Sequence, residues 1–302
     1  MGAGQVVARI FSYDPAEGRE PRYETYEIPR AREMRVLDAL IYVVDQLGAS
    51  LAFRWFCGVR RCGACGVQVN GRPVLACWEP AAEQMVIEPL PNLPIVRDLV
   101  VDHSGYDRVV DRLFPYLDRR DPYQSFPEPL THGAMRIPHD LMQCVQCLIC
   151  VAACPSWRID GEGFQGPAAL VQAGRFALDP RDALDRSSAL ARGLYDCCSC
   201  YACNDACPMG IDVLGHAVEP LRAACIKRGL GEEARHSHAF LDLIREAGVV
   251  TAPSLLLKTR RAGALARAGE GLKLARKGKF SLASPISTAE EIRKVQERME
   301  ER

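Results

Sequence analysis

The chain has 302 residues, of which 48% are hydrophobic, and its 38 basic side chains balance its 38 acidic ones. This length and apolar content are sufficient for two compact domains and a tail, while a net charge of zero gives no overall field that would attract nucleic acid or an anionic membrane. No apolar run approaches the roughly 18 residues that cross a bilayer, and the N-terminal sequence lacks the charged-then-apolar order of a secretory signal, so we expect a cytoplasmic protein.

The first hundred residues contain patterns of both strands and a helix. Residues 5–11 and 23–28 alternate β-branched or aromatic residues with polar ones, which predicts half-buried strands, and residues 36–47 have apolar positions at helical spacing. Asn70-Gly71 separates two strand-like runs and predicts a hairpin, because both turn residues must accept a positive φ. Residues 84–90 predict a closing strand, so the order of elements indicates a small α+β unit.

The remainder of the chain has mainly helical patterns. The proline-rich segment 89–98 indicates the exit from the α+β unit, and helical patterns dominate from about residue 104. Residues 251–280 contain eight Lys or Arg and a single Glu, which predicts an amphipathic basic helix or helix pair. This tail is either a docking element or a solvated helical cap whose leucines cover a core.

Thirteen of the 14 cysteines fall into three groups, within residues 57–77, 144–154 and 197–207. Disulfides are rare in a reducing compartment, so this clustering indicates metal binding or catalysis. The first group has the spacing C-x4-C-x2-C-x11-C, which is that of plant-type ferredoxins with a 2Fe-2S cluster.

In this first group, the hairpin at Asn70-Gly71 would return the fourth cysteine to the loop. Glycines at positions 58, 63 and 66 would let backbone amides approach the sulfurs. A zinc knuckle is the alternative, although it prefers two C-x2-C pairs and this group has only one. The predicted 2Fe-2S ligands are Cys57, Cys62, Cys65 and Cys77.

The second and third groups share the spacing C-x2-C-x2-C-x3-C-P and so form an internal repeat. Two-residue gaps let three thiolates surround one 4Fe-4S cluster, and in two-cluster ferredoxins the cysteine after the three-residue gap ligates the other cluster. Each segment would therefore hold both clusters, and we expect incomplete folding of the helical half without iron. Structural zinc is again the alternative. The predicted ligands are Cys144, Cys147, Cys150 and Cys207 for the first 4Fe-4S cluster, and Cys154, Cys197, Cys200 and Cys203 for the second.

Two cysteines remain outside this assignment. Cys225 lies in a helical run and is most simply a small buried hydrophobe, whereas Cys198 is the alternative to Cys197 as a ligand. We prefer Cys197 because it keeps the two-residue gap to Cys200. The histidines share no motif with a nucleophile or a carboxylate pair, and the sequence has no glycine-rich phosphate loop. We therefore expect no catalytic side chain in this chain, and FAD or NAD would bind to a partner.

The combination of cysteine patterns resembles the iron-sulfur subunit of succinate dehydrogenase and fumarate reductase. The similarity covers residues 5–225 and includes the stretches RVLDAL, LAFRWFCGVRRCGACGVQVNG, IEPLPNLPIVRDLVVD, GPAALVQAGRF and DPRDA. The resemblance implies a β-grasp 2Fe-2S ferredoxin domain over residues 1–103, an all-helical domain with two 4Fe-4S clusters over 104–240, and a helical tail over 241–302. It also implies electron transfer between a flavoprotein subunit, where succinate and fumarate interconvert at FAD, and a membrane-associated acceptor.

The chain departs from many members of this family near the third cysteine group. Those members have another residue at the position of Cys200 and carry a 3Fe-4S cluster, so Cys200 predicts a 4Fe-4S cluster here, or a 3Fe-4S cluster if it is not a ligand. Cys198 stands at the position of a family histidine, and Arg158 and Ile159 stand where the family has aromatic residues near the quinone. The resemblance therefore does not carry a quinone site over to this chain.

The tail from about residue 240, with KGK at 277–279, is more similar to the small iron-sulfur subunit of heterodisulfide reductases. This implies a non-classical succinate dehydrogenase or fumarate reductase whose membrane-side subunit resembles heterodisulfide reductase. Quinone or a thiol would be the acceptor, and the complex would lie on the inner face of the cell membrane. Three alternatives stay open: an electron-transfer subunit of a glycolate oxidase or heterodisulfide reductase complex, a zinc-stabilised interaction protein, and a free-standing carrier.

Overall fold

The computed structural model describes residues 4–18, 20–123, 125–159, 163–190, 193–265, 272–273, 275–278 and 281–300. The chain divides into two compact units, Met1–Arg222 and Ala223–Arg302. Among the described residues, no helix is long and apolar enough to cross a membrane. The three domain boundaries expected from the sequence stay a prediction.

The first unit begins with a five-stranded sheet whose strand order is β2-β1-β5-β3-β4. The central strands β1 and β5 pair in parallel, and the other neighbours are antiparallel. Helix α1 buries its apolar residues, as the helical spacing of that segment predicts. These elements form a β-grasp arrangement and confirm the expected α+β class. The strands are β1 (Gln5–Ser12), β2 (Arg22–Pro29), β3 (Gly66–Val69), β4 (Arg72–Leu75) and β5 (Gln84–Glu88), and α1 is Val36–Asp45.

The predicted hairpin is present between β3 and β4. Its turn residues Asn70 and Gly71 have φ values of 49° and 78°, which is the left-handed conformation that the two-residue turn requires. The exit segment differs from the expectation, because it contains a small antiparallel pair of strands, β6 (Ile95–Arg97) and β7 (Val100–Val101). The pair is short and follows three prolines, so the alternation from which strands are predicted is lacking.

Helices dominate the rest of the first unit. One core cluster combines Leu141, Val171, Ile211, Val213 and Ala217 with the side chain of Cys203, so the third cysteine group is anchored in the helical core. A π-helical turn over Leu214–Val218 leads into the last helix. The helices are α2 (Ser104–Arg112), α3 (His132–Leu141), α4 (Ile149–Ala152), α5 (Pro155–Ile159), α6 (Pro167–Ala177), α7 (Ser187–Leu190) and α8 (Ala202–Ala206). Helix α9 (Glu219–Lys227) begins in the first unit and ends in the second.

Asn92 joins the sheet to the helical part of the first unit. Its side-chain Nδ2 donates a hydrogen bond to the carbonyl of Ala152 at 2.7 Å, and its own carbonyl accepts one from Trp157 Nε1 at 3.1 Å. Gly166 lies against the Trp157 ring, where a Cβ would come within 2.7 Å of the indole. The tryptophan is thus held between the exit segment and the start of α6.

A buried ion pair fixes the connection between α2 and α3. The fully buried Arg186 pairs with Asp182 and donates to the carbonyls of Phe114 and Tyr116. The other carboxylate oxygen of Asp182 accepts the N–H of Asp118 at 3.1 Å. Removing one partner of such a pair leaves an uncompensated buried charge and typically costs about 3–5 kcal/mol, so the pair stabilises this irregular segment strongly.

In the described part of the second unit, the longer helices are α10 (Gly231–Ala247), α11 (Ala252–Leu265) and α12 (Ala289–Glu300). Helix α10 packs against both α11 and α12. The predicted basic helix begins as α11, in which Lys258 pairs with Glu246 at 2.6 Å. Residues 266–271, 274 and 279–280 of the basic segment, including the end of KGK, lie outside the described residues.

Candidate metal centres

The first cysteine group lies on a loop between α1 and β3, with its fourth member directly after β4. Gly58, Arg60 and Gly63 of this loop have the left-handed conformation. This conformation turns backbone N–H groups toward a common concavity. Four of these groups donate to sulfur at 3.3–3.4 Å: Val59, Arg61 and Cys62 to Cys57 Sγ, and Arg60 to Cys77 Sγ.

These hydrogen bonds change the acidity of the thiols. The N–H groups of Val59 and Arg61 lower the pKa of Cys57 to about 6, whereas burial raises the pKa of Cys65 to about 12. The thiol of Cys65 also interacts with those of Cys62 and Cys77, and the thiols of Cys62 and Cys57 form a hydrogen bond. The structure therefore brings all four predicted ligands of the first group together.

The second and third groups repeat each other in backbone conformation as well as in spacing. Gln146 and Leu148 have φ values of 52° and 59°, and Ser199 and Tyr201 have values of 53° and 64°. These positions are two and four residues after Cys144 and after Cys197, so the repeat aligns with Cys197 and not with Cys198. Because left-handed non-glycine residues are uncommon, their matching positions in the two repeats favour Cys197 as the first predicted ligand of the third group.

A short helix contains the third cysteine of each repeat and carries the chain to the fourth. Helices α4 and α8 perform this role, and they pack against each other. As a result, each fourth cysteine lies beside the other repeat. Cys207 interacts with Cys144, Cys147 and Cys150, while Cys154 interacts with Cys197, Cys200 and Cys203.

Burial dominates the chemistry of these thiols. It raises the pKa of Cys147 and of Cys203 to about 12, and it raises that of Cys150 well above the ordinary value. Metal ligation requires thiolates, so the buried thiols must lose their protons when metal binds. Protein cores tolerate such buried negative charge only when a positive partner compensates it.

The first and second groups are in direct backbone contact. Gly63 has a φ of 72°, and a Cβ at this position would collide with the carbonyl oxygen of Val145 and lie 3.2 Å from the Cys147 nitrogen. A Cβ at Gly66 would lie 3.2 Å from the Cys147 oxygen. The second group therefore touches the first group through these glycines and the third group through the exchanged cysteines.

Arg222 supports the third group, although no sequence pattern indicated it. Its guanidinium donates to the Cys197 carbonyl at 2.5 Å and to the Ser199 hydroxyl at 3.0 Å. Gln172, buried in α6, contacts the thiol of Cys144. A single amide directly after the apolar run GPAALV was the available sequence signal for Gln172. Arg222 lies in α9, beyond the last cysteine group, and had none.

Cys225 and Cys198 are the two cysteines outside the predicted ligand sets. Cys225 is fully buried, as expected of a small hydrophobe. Cys198 is exposed beside the third group, together with Cys200. Within the described ranges, no three His, Cys, Asp or Glu side chains form a group that could hold a single metal ion.

The residues of all three groups fit iron-sulfur clusters. Backbone N–H groups aimed at sulfur, four neighbouring thiols at each site and a buried amide beside Cys144 are features that hold such a cluster and stabilise its negative charge. The ligand sets themselves stay a prediction.

The first and third groups both reach the surface next to exposed apolar side chains. Around the first group these are Trp55, Phe56, Val59 and Trp78, of which Phe56 is 82% exposed, and the guanidinium of Arg60 lies 4.3 Å from the Trp78 ring. In the third group Tyr201 is exposed, and Ile159 is exposed at the end of α5, the helix that follows Cys154. We call these the first-site patch (Trp55, Phe56, Val59, Trp78) and the third-site patch (Ile159, Tyr201).

Comparisons with known proteins agree with this arrangement. A family model described as "2Fe-2S iron-sulfur cluster binding domain" matches residues 7–108, and one described as "4Fe-4S dicluster domain" matches residues 140–211. The fumarate reductase iron-sulfur subunit of Mycobacterium tuberculosis is 36% identical, over 70% of this chain and 89% of the relative. That of Haemophilus influenzae is 35% identical, over 67% and 86%.

Two further proteins are similar to this chain over different shares of their own length. One subunit of the fumarate reductase (CoM/CoB) of Methanothermobacter marburgensis is 34% identical over 80% of this chain, which spans only 49% of that relative. A chain of the Mycobacterium smegmatis Sdh1 complex in the apo form shares the fold, with a TM-score of 0.69 and 24% identity over 76% of this chain and 99% of that one.

The contact at Gly63 leads to a test of how the first two groups are held together. Alanine at Gly63 or at Gly58 carries the same conformational penalty of about 1–2 kcal/mol, because both glycines are left-handed, but only Gly63 has backbone against its missing Cβ. We expect Gly63→Ala to lower the iron and sulfide content of the anaerobically purified chain. Gly58→Ala is the control and should retain most of both. Equal losses in the two variants would show that the backbone contact is unimportant.

Proposed function

This chain belongs to the iron-sulfur subunits of fumarate reductases and succinate dehydrogenases, and from that membership we propose that it passes single electrons between a FAD-containing flavoprotein subunit and a membrane-side acceptor subunit. The observation that carries the proposal is the contact of the second cysteine group with both of the others. Three neighbouring sites, of which the outer two reach the surface, give electrons a continuous route through the first unit.

We assign the ligands of each cluster from the cysteine thiols that lie next to one another. Bound clusters would supply one-electron oxidation and reduction. One 2Fe-2S cluster would be held by the first group, and two 4Fe-4S clusters by the exchanged sets of the second and third groups. The ligands are Cys57, Cys62, Cys65 and Cys77; Cys144, Cys147, Cys150 and Cys207; and Cys154, Cys197, Cys200 and Cys203.

The chain's own residues hold the sulfurs and control their surroundings. The loop N–H groups donate to Cys57 and Cys77 and stabilise the extra negative charge of a reduced site. The apolar core around Cys203 excludes water from the contact between the second and third groups. Substrate chemistry stays with the flavin of the partner, since the chain itself supplies no substrate-binding side chain in this proposal.

The two exposed patches are the surfaces for the partners. The first-site patch would receive the flavoprotein, because exposed aromatic and apolar side chains beside arginines are typical of protein interfaces. The third-site patch, next to the exposed Cys200, would face the acceptor subunit. Docking through that acceptor would place the complex at the inner face of the cell membrane.

The membrane-side subunit would pass the electrons to a quinone or to a thiol. The similarity to a fumarate reductase named for CoM and CoB supports a thiol-linked partner that resembles heterodisulfide reductase. An electron-transfer subunit of a glycolate oxidase or heterodisulfide reductase complex is the alternative. Succinate-dependent reduction of the chain by its co-purified flavoprotein supports the first function, and reduction only by glycolate or by thiols supports the second.

Iron analysis tests the basis of the proposal. The anaerobically purified chain should contain about ten iron atoms, from one 2Fe-2S and two 4Fe-4S clusters, with an equal amount of acid-labile sulfide. It should also absorb visible light. A colourless chain with zinc and no sulfide would contradict the proposal and favour an interaction protein.

The exposed Cys200 and Cys198 form a matched pair for testing the third site. Cys200→Ser should convert this cluster to a 3Fe-4S form or destabilise it, because a thiolate ligand is lost, and EPR should show the loss of one 4Fe-4S signal. Cys198→Ser should leave the spectrum unchanged. The reverse result would make Cys198 the ligand.

Binding to the flavoprotein tests the first-site patch. Phe56→Ala should weaken association about tenfold or more, since an aromatic side chain at the centre of an interface typically contributes above about 1.4 kcal/mol. Phe126, which is 91% exposed elsewhere in the first unit, provides the control variant Phe126→Ala. Affinity would be measured by biolayer interferometry with the separately purified flavoprotein. Equal affinities for both variants would place the docking surface elsewhere.

A further inference from the structure

Helix α6 carries a polar pair inside an otherwise apolar stretch. Gln172 is only 3% exposed, and its Oε1 accepts a hydrogen bond from Arg175 Nη1 at 3.2 Å. The neighbouring residues Val171 and Ala173 belong to the buried core. A polar pair in such surroundings is costly unless each donor is satisfied.

The hydrogen bond fixes the orientation of the Gln172 amide. A guanidinium has only donors, so the amide oxygen must face Arg175 and the NH2 group must point away from it. Gln172 Nε2 and Arg175 Nε are both buried and have no hydrogen-bond partner in the part of the chain that the structure describes. Native proteins rarely leave such groups unpaired, so two free N–H donors in one buried place indicate a missing acceptor.

The sulfur of Cys144 lies where that acceptor is needed. The Gln172 side chain contacts it, and Arg175 contributes a positive charge nearby. Cys144 also packs against the buried core cluster that contains Val171, the neighbour of Gln172 in α6. The thiol and the unpaired amide therefore lie in the same buried region.

We propose that Gln172 donates its N–H to the sulfur of Cys144 in the loaded first 4Fe-4S site, and that Arg175 is the positioning residue that aims this amide. The inference rests on the proposed function, because it requires a cluster at this site. A hydrogen bond to a ligand sulfur stabilises the more negative, reduced cluster and so raises its potential. The pair thus tunes one of the three sites independently of the others.

Arg222 acts on the third group in a different way. In the part of the chain that the structure describes, its Nη atoms donate to the backbone carbonyls of Cys197, Leu194 and Tyr195 and to the Ser199 hydroxyl. Arg222 therefore fixes the loop, whereas Gln172 acts on a ligand atom. The two 4Fe-4S sites are similar in backbone but differ in this contact.

Redox-titrated EPR of the complete, cluster-loaded chain tests the proposal with two variants. Gln172→Glu keeps the size and the acceptor for Arg175 but removes the N–H, and Gln172→Met removes the donor without adding charge. Both should lower the midpoint potential of the first 4Fe-4S cluster and leave the other two unchanged. Gln46→Glu, at an exposed position after α1, adds the same charge outside the three cysteine groups and should shift none of their potentials.

The outcomes separate the inference from the proposed function. A wild-type chain without iron and sulfide would refute the proposed function itself. Clusters present with an unshifted potential in both variants, or with all three potentials shifted alike, would overturn the role of Gln172.

A second measurement uses the wild-type chain and decides the case in which both variants lose the cluster. Side-chain 15N labelling of glutamine, followed by ENDOR on the reduced first 4Fe-4S cluster, should reveal a coupled 15N nucleus. Its absence would overturn the proposal whatever the variants do.

Discussion

The structure depends on the exchange of the fourth cysteine between two short segments. Helices α4 and α8 are each a single turn or little more, and they carry Cys154 and Cys207 across to the opposite repeat. Residues 144–154 and 197–207 are thereby held together by the same atoms that would hold the metal. A bound metal would compensate the buried negative charge of the thiolates, so we expect metal binding and folding of this part of the chain to be one process.

Backbone dipoles make the charge at these sites tolerable. The loop of the first group places N–H groups on sulfur, and both repeats use left-handed residues at the same two positions to turn the chain around their cysteines. Most of these residues are not glycine, so each accepts a conformational cost of about 1–2 kcal/mol. Contacts with sulfur would offset that cost at these positions.

Exposure differs between the sites in a way that suits a relay. Cys200 is exposed at one outer site, whereas the middle site has no exposed cysteine: Cys147 is buried, and Cys144, Cys150 and Cys207 are half-buried. The exposed apolar patches also lie at the two outer sites. Partners would therefore reach the outer sites, and the half-buried middle site would have less contact with solvent. The polar pair in α6 adds a means of adjusting the middle site alone.

The amino-acid sequence alone was sufficient for the features that depend on neighbouring residues: the strands and hairpin around Asn70-Gly71, the helical character beyond residue 104, and the cysteine spacings that define three groups. These are readable because a turn or a metal loop needs particular residues at short, fixed separations. Three-dimensional packing was needed to establish the contact of Gly63 with Val145, the support of the third group by Arg222, and the orientation of Gln172 toward Cys144. Those contacts join residues that are tens of positions apart in the sequence. They depend on how the folded elements pack, which the spacing of residues along the chain does not predict.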